Sequence, residues 1–217
     1  MSEPADTSKK ALADYLRDND WEKELNYKLW VTKGARFCAA QRYGAVSDAS
    51  TKALTFLSAY LIIIGLVPTF IPAVSQKVPP PLLGISTVGI SILVLVYNLI
   101  ESSRRYSLRS HLYHDCALRI GRLYDALRQA KSIESSQDRE RVIQRITKKY
   151  ERTIEHFENH APVDYAVFQT QKPDYFNLSR LRTYCIRLNA YYHTGFRYHL
   201  LIVLPPVFVV LLYIFLR

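Results

Sequence analysis

Two histidine pairs have the spacing that a helix needs to present both rings on one face. His111 and His114 lie three residues apart, and His156 and His160 lie four residues apart. Acidic residues flank both pairs, but a protein metal site normally needs three or four converging ligands. We therefore interpret these histidines as solvated or helix-edge residues and predict neither a metal site nor a cofactor.

Other catalytic signatures are missing from the sequence. It contains no phosphate-binding glycine loop, no nucleophile elbow and no HExxH zinc motif. We predict that the protein is not an enzyme. The net charge of +10 does not indicate nucleic acid either, because charges of both signs are interspersed and no nucleic-acid-binding motif is present. The excess of positive charge is explained by attraction between basic residues next to the membrane and anionic lipid headgroups.

Three long stretches of the sequence contain no Asp, Glu, Lys, Arg or His. They determine where the other segments of the chain can lie. They are residues 53–76, 82–100 and 200–216. As helices they would be about 36, 28 and 26 Å long, against a hydrocarbon core of about 30 Å. Lipid cannot satisfy free peptide groups, so spanning segments must be helices. Because these stretches lack charges, a secondary transporter is not expected.

The predicted fold class is an all-α membrane protein. A transmembrane helical hairpin continues into a cytosolic helical bundle, and a third transmembrane helix follows at the C-terminus, although Pro205 and Pro206 lie at its middle. Lys52 precedes the first span and Arg104 and Arg105 follow the second. Basic residues favour the cytoplasmic side, so we predict a cytosolic N-terminus and a C-terminus outside.

We predict five segments along the chain. They are a disordered N-terminus (1–10), an N-terminal cytosolic helical region (11–50), a transmembrane hairpin (53–100), a second cytosolic helical region (101–199) and the third span (200–216). The polar residues from Gly44 to Ser50 should interrupt the first helix, whereas the second span should continue as one helix through Ala130. The chain should be irregular around Pro162, and Gly195 should loosen it.

The cysteines predict free thiols. Cys38, Cys116 and Cys185 are an odd set on segments predicted to be cytosolic, which argues against disulfides. Cys116 and Cys185 fall within helical patterns, so we interpret both as small buried residues.

Small and weakly polar residues distinguish the two hairpin spans. They are Ser58, Gly65, Ser86, Thr87, Gly89, Ser91 and Asn98. Small residues allow helices to approach closely, and Asn98 can hydrogen-bond across an interface. These residues predict either helix packing or the lining of a pore, and the sequence favours neither. Lys52, Arg104 and Arg105 would lie at the cytosolic mouth of such a pore.

A stripe with heptad spacing follows the second span. Tyr106, Tyr113, Ile120 and Leu127 recur every seven residues, and Leu123 lies three residues after Ile120. This spacing is typical of a coiled coil. We take the stripe as a candidate seam between copies in a homo-oligomer. The alternative is the core of a bundle within one chain.

Several segments together resemble a known family. They are Trp30–Phe37, Leu57–Ile64, Asn98–Ser103, Asn159–His160 and Asp164–Phe168. In order and spacing they are similar to the SLATT family, prokaryotic two-transmembrane effectors that associate with SMODS nucleotidyltransferase and SLOG nucleotide-sensing domains. The resemblance covers residues 20 to 200 and looks closest to a subgroup encoded beside reverse transcriptases.

The resemblance implies a membrane effector of a prokaryotic anti-phage defence system. Once infection is sensed, such a protein would oligomerise and perforate or depolarise the bacterial inner membrane, and growth would stop by abortive infection. Its partners would be the lipid bilayer, further copies of itself and a reverse transcriptase or nucleotide-signalling protein. The rival interpretation is a non-conducting membrane anchor or scaffold that recruits a soluble partner.

Overall fold

A computed structural model describes residues 20–70 and 79–216, and within these ranges the chain is helical without a strand. Seven α-helices and one π-helical turn occur there: α1 (Trp21–Phe70), α2 (Pro80–Ser103), α3 (Tyr106–Ala130), α4 (Ser136–Glu155), α5 (Pro162–Thr170), α6 (Arg180–Tyr191), the π-turn (Tyr192–Phe196) and α7 (Arg197–Leu216). The all-α fold class is confirmed. The disordered N-terminus predicted at 1–10 and the end of the first predicted span lie outside the described residues.

Asp20 fixes the start of α1. Its carboxylate accepts a hydrogen bond from the backbone N–H of Lys23 at 3.1 Å, and its carbonyl accepts one from Glu24. This is an N-cap, which satisfies amides that no earlier turn can reach. The hydrogen bond from Lys23 lowers the pKa of Asp20 below its usual value.

The predicted interruption of α1 between Gly44 and Ser50 is wrong. The helix continues for 50 residues, about 75 Å at 1.5 Å per residue. Its hydroxyls are compatible with this geometry because they bond locally: Thr51 donates to the carbonyl of Ser47, and Thr55 donates to that of Thr51, both at 2.9 Å.

The predicted continuous helix from the second span to Ala130 is also wrong. The helix α2 ends at Ser103, and α3 begins at Tyr106. The backbone amides of Arg104 and Arg105 bond the carbonyls three residues earlier, at 3.2 and 3.3 Å, which tightens the last turn. Arg105 then takes a left-handed conformation with φ of 49°. This conformation is unusual for a residue other than glycine, and the sequence has no glycine here from which the turn could have been predicted.

The described residues form two compact units. The first contains residues 20–37 and 113–160, and the second contains residues 38–70, 79–112 and 161–216. The helices α1 and α3 each contribute residues to both units.

The core of the first unit is built from α1, α3 and α4. Its buried residues are Leu25, Leu29, Cys116, Ile120, Leu127, Ile143 and Ile146, and Leu123 packs against them. Tyr113 is buried as well. The stripe that we assigned to contacts between copies is therefore covered within one chain. This burial corrects the seam assignment for Tyr113, Ile120 and Leu127 and favours the alternative of an intramolecular core.

Two irregularities were predicted, one over residues 159–171 and one at Gly195. The chain is irregular at residues 158–161 before Pro162, whereas residues 162–170 and Gly195 are helical. Pro162 begins α5 at a position where a missing N–H costs nothing, and the carboxylate of Asp164 accepts from the N–H of Ala161 at 2.9 Å. Gly195 is buried in the π-turn, where an added Cβ would lie 3.2 Å from the ring of Tyr191. Gly195 therefore allows close packing and does not loosen the chain.

Among the described residues, three helical stretches are long and apolar enough to cross a membrane, and they include residues 53–67, 84–100 and 200–211 of the uncharged stretches. Their large apolar side chains are exposed, as at Ile63 in α1, Leu93 in α2 and Phe208 in α7. Such extended apolar surface is stable in lipid and would aggregate in water.

Candidate functional site

A buried carboxylate organises the end of the membrane helices in the second unit. Glu101 is the first charged residue after the uncharged stretch of α2, yet it is only 4% exposed. Its Oε2 atom accepts hydrogen bonds from the Ser50 hydroxyl at 3.0 Å and from the Tyr198 hydroxyl at 2.6 Å. Glu101 thus joins α2 to α1 and to α7.

Two arginines balance the charge of this carboxylate. Arg104 Nε lies 3.6 Å and Arg197 lies 3.8 Å from Glu101 Oε1. Both guanidinium groups also donate to the Tyr106 hydroxyl, at 3.1 and 2.9 Å, and Arg197 donates to the Tyr198 hydroxyl. A buried carboxylate needs such compensation, because an unpaired charge is costly in a region of low dielectric constant.

A polar cavity of about 450 Å³ lies beside Glu101, between α1 and the α2–α3 turn. Its lining contains mainly hydroxyl groups, one amide, one carboxylate and one guanidinium: Ser47, Ser50, Thr51, Leu54, Thr55, Ser58, Asn98, Glu101, Ser102, Arg105, Tyr106 and Ser107. Cavities of this size suit small ligands or headgroups.

The structure brings together four of the residues that we selected from the sequence. Ser58, Asn98, Arg105 and Tyr106 line the cavity. Lys52 is exposed outside its lining, and Arg104 pairs with Glu101 instead.

The remaining candidates lie farther along the membrane helices. Ser86, Gly89 and Ser91 are exposed, and the Ser91 hydroxyl donates to the Thr87 carbonyl at 2.7 Å. A Cβ at Gly65 or Gly89 would meet no heavy atom within 4 Å among the described residues. These glycines therefore serve no close contact within the described chain.

Most partners of Glu101 were not among the residues predicted from the sequence. Ser50, Arg197 and Tyr198 were not selected, although Tyr198 is completely buried. One signal was present: Glu101 directly follows an uncharged span, where a carboxylate must find partners. Which residues would serve as partners depends on tertiary contacts across 51 and 97 positions of the chain.

A hydrogen bond between α1 and α7 compensates for a proline. Pro206 has no N–H, so it cannot satisfy the carbonyl of Ile202 four residues earlier. The Tyr60 hydroxyl donates to this carbonyl at 3.0 Å. In lipid both groups would otherwise lack a partner, so the bond supports α7 beside α1 at membrane depth.

Two arginines of α1 bind residues in the segments that carried the family resemblance; Arg36 is buried and Arg42 is half-buried. In the first unit Arg36 is 0% exposed, and its guanidinium donates to the Glu158 carbonyl and, at 3.5 Å, to the Asn159 side chain. In the second unit Arg42 forms a two-bond pair with Asp164, at 2.6 and 3.0 Å. These residues therefore stabilise the fold.

The histidines do not converge. The His114 ring packs edge-on against Phe37 with centroids 5.4 Å apart, and His156 Nδ1 lies 2.6 Å from the Arg152 carbonyl. Across residues 20–70 and 79–216, no group of three potential metal ligands occurs.

The three cysteines are free, with different surroundings. Cys38 and Cys116 are buried, whereas Cys185 is exposed, which corrects its predicted burial. Cys38 precedes the first uncharged stretch. Its burial, together with the negative charge of Asp164, raises the pKa of its thiol to about 11.

Residues 18–212 match the model of the SMODS and SLOG-associating 2TM effector domain family 5. The chain belongs to this family. No curated protein and no solved structure matches it. The SLATT domain is a helical transmembrane effector domain of defence systems and is not a known enzyme family. The family name counts two transmembrane helices, whereas the part of this chain that the structure describes has three helices long and apolar enough to span.

Proposed function

We propose that the chain is the membrane-perturbing effector of a prokaryotic anti-phage defence system, and that it forms a conducting path across the inner membrane when activated. The observation that supports this function is a pair of polar stripes, one on each hairpin helix, that both begin at the cavity beside Glu101.

The stripe on α1 contains Ser47, Thr51, Ser58 and Gly65. Their spacings of four and seven residues are close to whole turns, so they share a face. The first three line the cavity, and Gly65 lies beyond it within the uncharged stretch.

The stripe on α2 contains Thr87, Ser91 and Asn98, which also share a face through spacings of four and seven residues. Asn98 lines the cavity. Ser86 and Gly89 lie on other faces, because they are one residue before and two residues after Thr87. Water and ions could follow the two stripes from the cavity once several copies assemble around them.

Assembly in this proposal uses the exposed surfaces of the membrane helices. Small residues permit close helix contacts in lipid, and Gly65 and Gly89 are open for such contacts. The N-terminus is cytosolic, and Lys52, Arg104 and Arg105 surround the inner mouth. A reverse transcriptase or nucleotide-signalling partner would activate the effector by binding more tightly to the open arrangement.

A membrane-potential dye tests the stripes in cells that express the protein together with its activating partner. Ser91→Leu removes polarity from the α2 stripe and should reduce depolarisation at least about ten-fold. Ser86→Leu is the matched control, because it makes the same change at an exposed position on another face of α2. Equal depolarisation by wild type and Ser91→Leu would contradict a path along the stripe.

The non-conducting anchor remains the second candidate because of α6. No residue of α6 is buried, and Leu181, Tyr184 and Leu188 are exposed along it. An apolar surface of this kind can recruit a partner. Leu188→Glu should abolish capture of the partner at the membrane if the protein is an anchor. Partner capture without depolarisation under activating conditions would favour this function.

A further inference from the structure

We propose that the cavity beside Glu101 binds a phosphate group, and that the phosphate is carried by a membrane phospholipid. The proposal does not depend on conduction, since a scaffold with the same cavity would bind the same headgroup.

The charges around the cavity favour an anion. Arg105 lines it, and Arg104 and Arg197 lie within 4 Å of Glu101 at its edge. Glu101 is the one carboxylate of the lining. Both of its oxygens already face cationic or hydroxyl partners, so three guanidinium groups outnumber one compensated carboxylate.

Arg105 is the cation of the cavity lining that can bind the phosphate. Its side chain is exposed and has no partner among the residues that the structure describes. Its left-handed backbone, with φ of 49°, is unfavourable for a residue with a Cβ. Unfavourable backbone conformations are concentrated at functional sites, and this one lies at the rim of the cavity.

Hydroxyl groups complete the site. Ser47, Ser58, Ser102 and Ser107 line the cavity, and their side chains have no hydrogen-bond partner among the described residues. A phosphate oxygen accepts hydrogen bonds from hydroxyl and guanidinium donors together. The volume of about 450 Å³ accommodates a phosphate with its glycerol.

The position of the cavity favours a lipid over a soluble phosphate. Ser58 and Asn98 belong to the uncharged stretches, so the cavity extends to membrane depth. Leu54 lines it, and Phe56 and Leu99 nearby are 46% and 65% exposed. These side chains offer acyl chains an apolar surface. Basic pockets between transmembrane helices are known to hold lipid headgroups.

The test uses the full chain in a neutral detergent and three soluble probes. Dihexanoyl phosphatidylglycerol carries both phosphate and acyl chains, dihexanoylglycerol lacks the phosphate, and glycerol 3-phosphate lacks the chains. Thermophoresis should show that phosphatidylglycerol binds at least about ten-fold more tightly than either of the others. Equal binding of dihexanoylglycerol would overturn the phosphate site. Equal binding of glycerol 3-phosphate would overturn the lipid assignment.

Two variants of Arg105 make the residue assignment specific. Arg105→Gln and Arg105→Gly should each weaken phosphatidylglycerol binding about ten-fold. Glycine favours a positive φ, so Arg105→Gly should unfold at the same temperature as wild type or higher. Arg122→Gln, an exposed arginine of α3 in the first unit, is the control and should bind like wild type. Unchanged binding in both Arg105 variants would overturn the proposal.

Discussion

At the scale of single residues, Glu101 shows how a carboxylate is tolerated beside lipid. Each of its oxygens has two partners, and these come from Ser50, Arg104, Arg197 and Tyr198. The two arginines are 46% exposed, so the ion pairs are partly screened. The buried hydroxyl bonds from Ser50 and Tyr198 therefore contribute most to the specificity of the arrangement.

Glu101→Gln should lower the free energy of unfolding by about 1–3 kcal/mol, because it removes the negative charge that holds two guanidinium groups. Thermal unfolding of the detergent-solubilised protein measures this loss. Glu151→Gln changes an exposed glutamate of α4 and is the control. A variant as stable as wild type would show that the carboxylate charge is unimportant for the fold.

The thiols should differ in reactivity. At pH 8 a maleimide should label Cys185 quickly, and Cys38 and Cys116 should react at least about a hundred-fold more slowly in the folded protein. Both slow thiols are buried, and the raised pKa of Cys38 leaves little thiolate. Mass spectrometry after timed quenching locates the label, and denatured protein labelled at all three sites is the control. Rapid labelling of Cys116 would contradict the packing of the first unit.

At the scale of elements, the bond from Tyr60 to Ile202 explains how α7 carries two prolines. A helix interrupted inside lipid leaves carbonyls without donors, and a neighbouring side chain can replace the missing N–H. The hydrophobic stretch alone could not predict this partner, since Tyr60 lies 142 positions from Ile202 in the sequence.

A double-mutant cycle tests this compensation. Tyr60→Phe should cost about 0.6 kcal/mol, and at most about 1.7, in denaturation by SDS in mixed micelles. In a Pro206→Ala background the restored N–H satisfies Ile202, so the same Tyr60→Phe change should cost close to nothing. Equal costs in both backgrounds would show that the tyrosine acts independently of the proline.

The all-α fold class and the positions of the hydrophobic stretches could be predicted from the sequence, but two helix boundaries could not. Ser47 and Ser50 suggested an interruption of the first helix, yet local hydroxyl bonds and the contact with Glu101 allow α1 to continue. The end of α2 at Ser103 depends on the left-handed Arg105, a conformation that arginine rarely adopts.

The heptad stripe and the cavity show that the sequence pattern does not specify which helices pack against each other. The periodicity of Ile120 and Leu127 correctly indicated a buried face, but periodicity does not specify the partner, which is α1 and α4 of the same chain. Ser58 and Asn98 were selected as polar residues of the spans, whereas the cavity that contains them depends on where α1 and α2 approach.

At the scale of the whole molecule, the number of spans decides where the C-terminus lies. Three helices within residues 20–70 and 79–216 are apolar and long enough to span. Three crossings would place the two termini on opposite sides. Alkaline phosphatase fused after Arg217 should be active, because that enzyme folds outside the cytosol. A green fluorescent protein at the same site should remain dark.

An insertion of alkaline phosphatase in the loop at Glu134 is the control and should be inactive, because this loop is predicted to be cytosolic. An inactive C-terminal phosphatase with a bright fluorescent fusion would mean that α7 does not cross the membrane. The protein would then have two spans, in agreement with the count in its family name.

The position of Glu101 at a junction of several helices also constrains how the sequence can change over evolution. Aspartate at this site would be one methylene shorter and could not reach partners on α1 and α7 together, so a substitution at position 101 would require compensation at 50 and 198. An alignment of family members should therefore show correlated changes among these three columns.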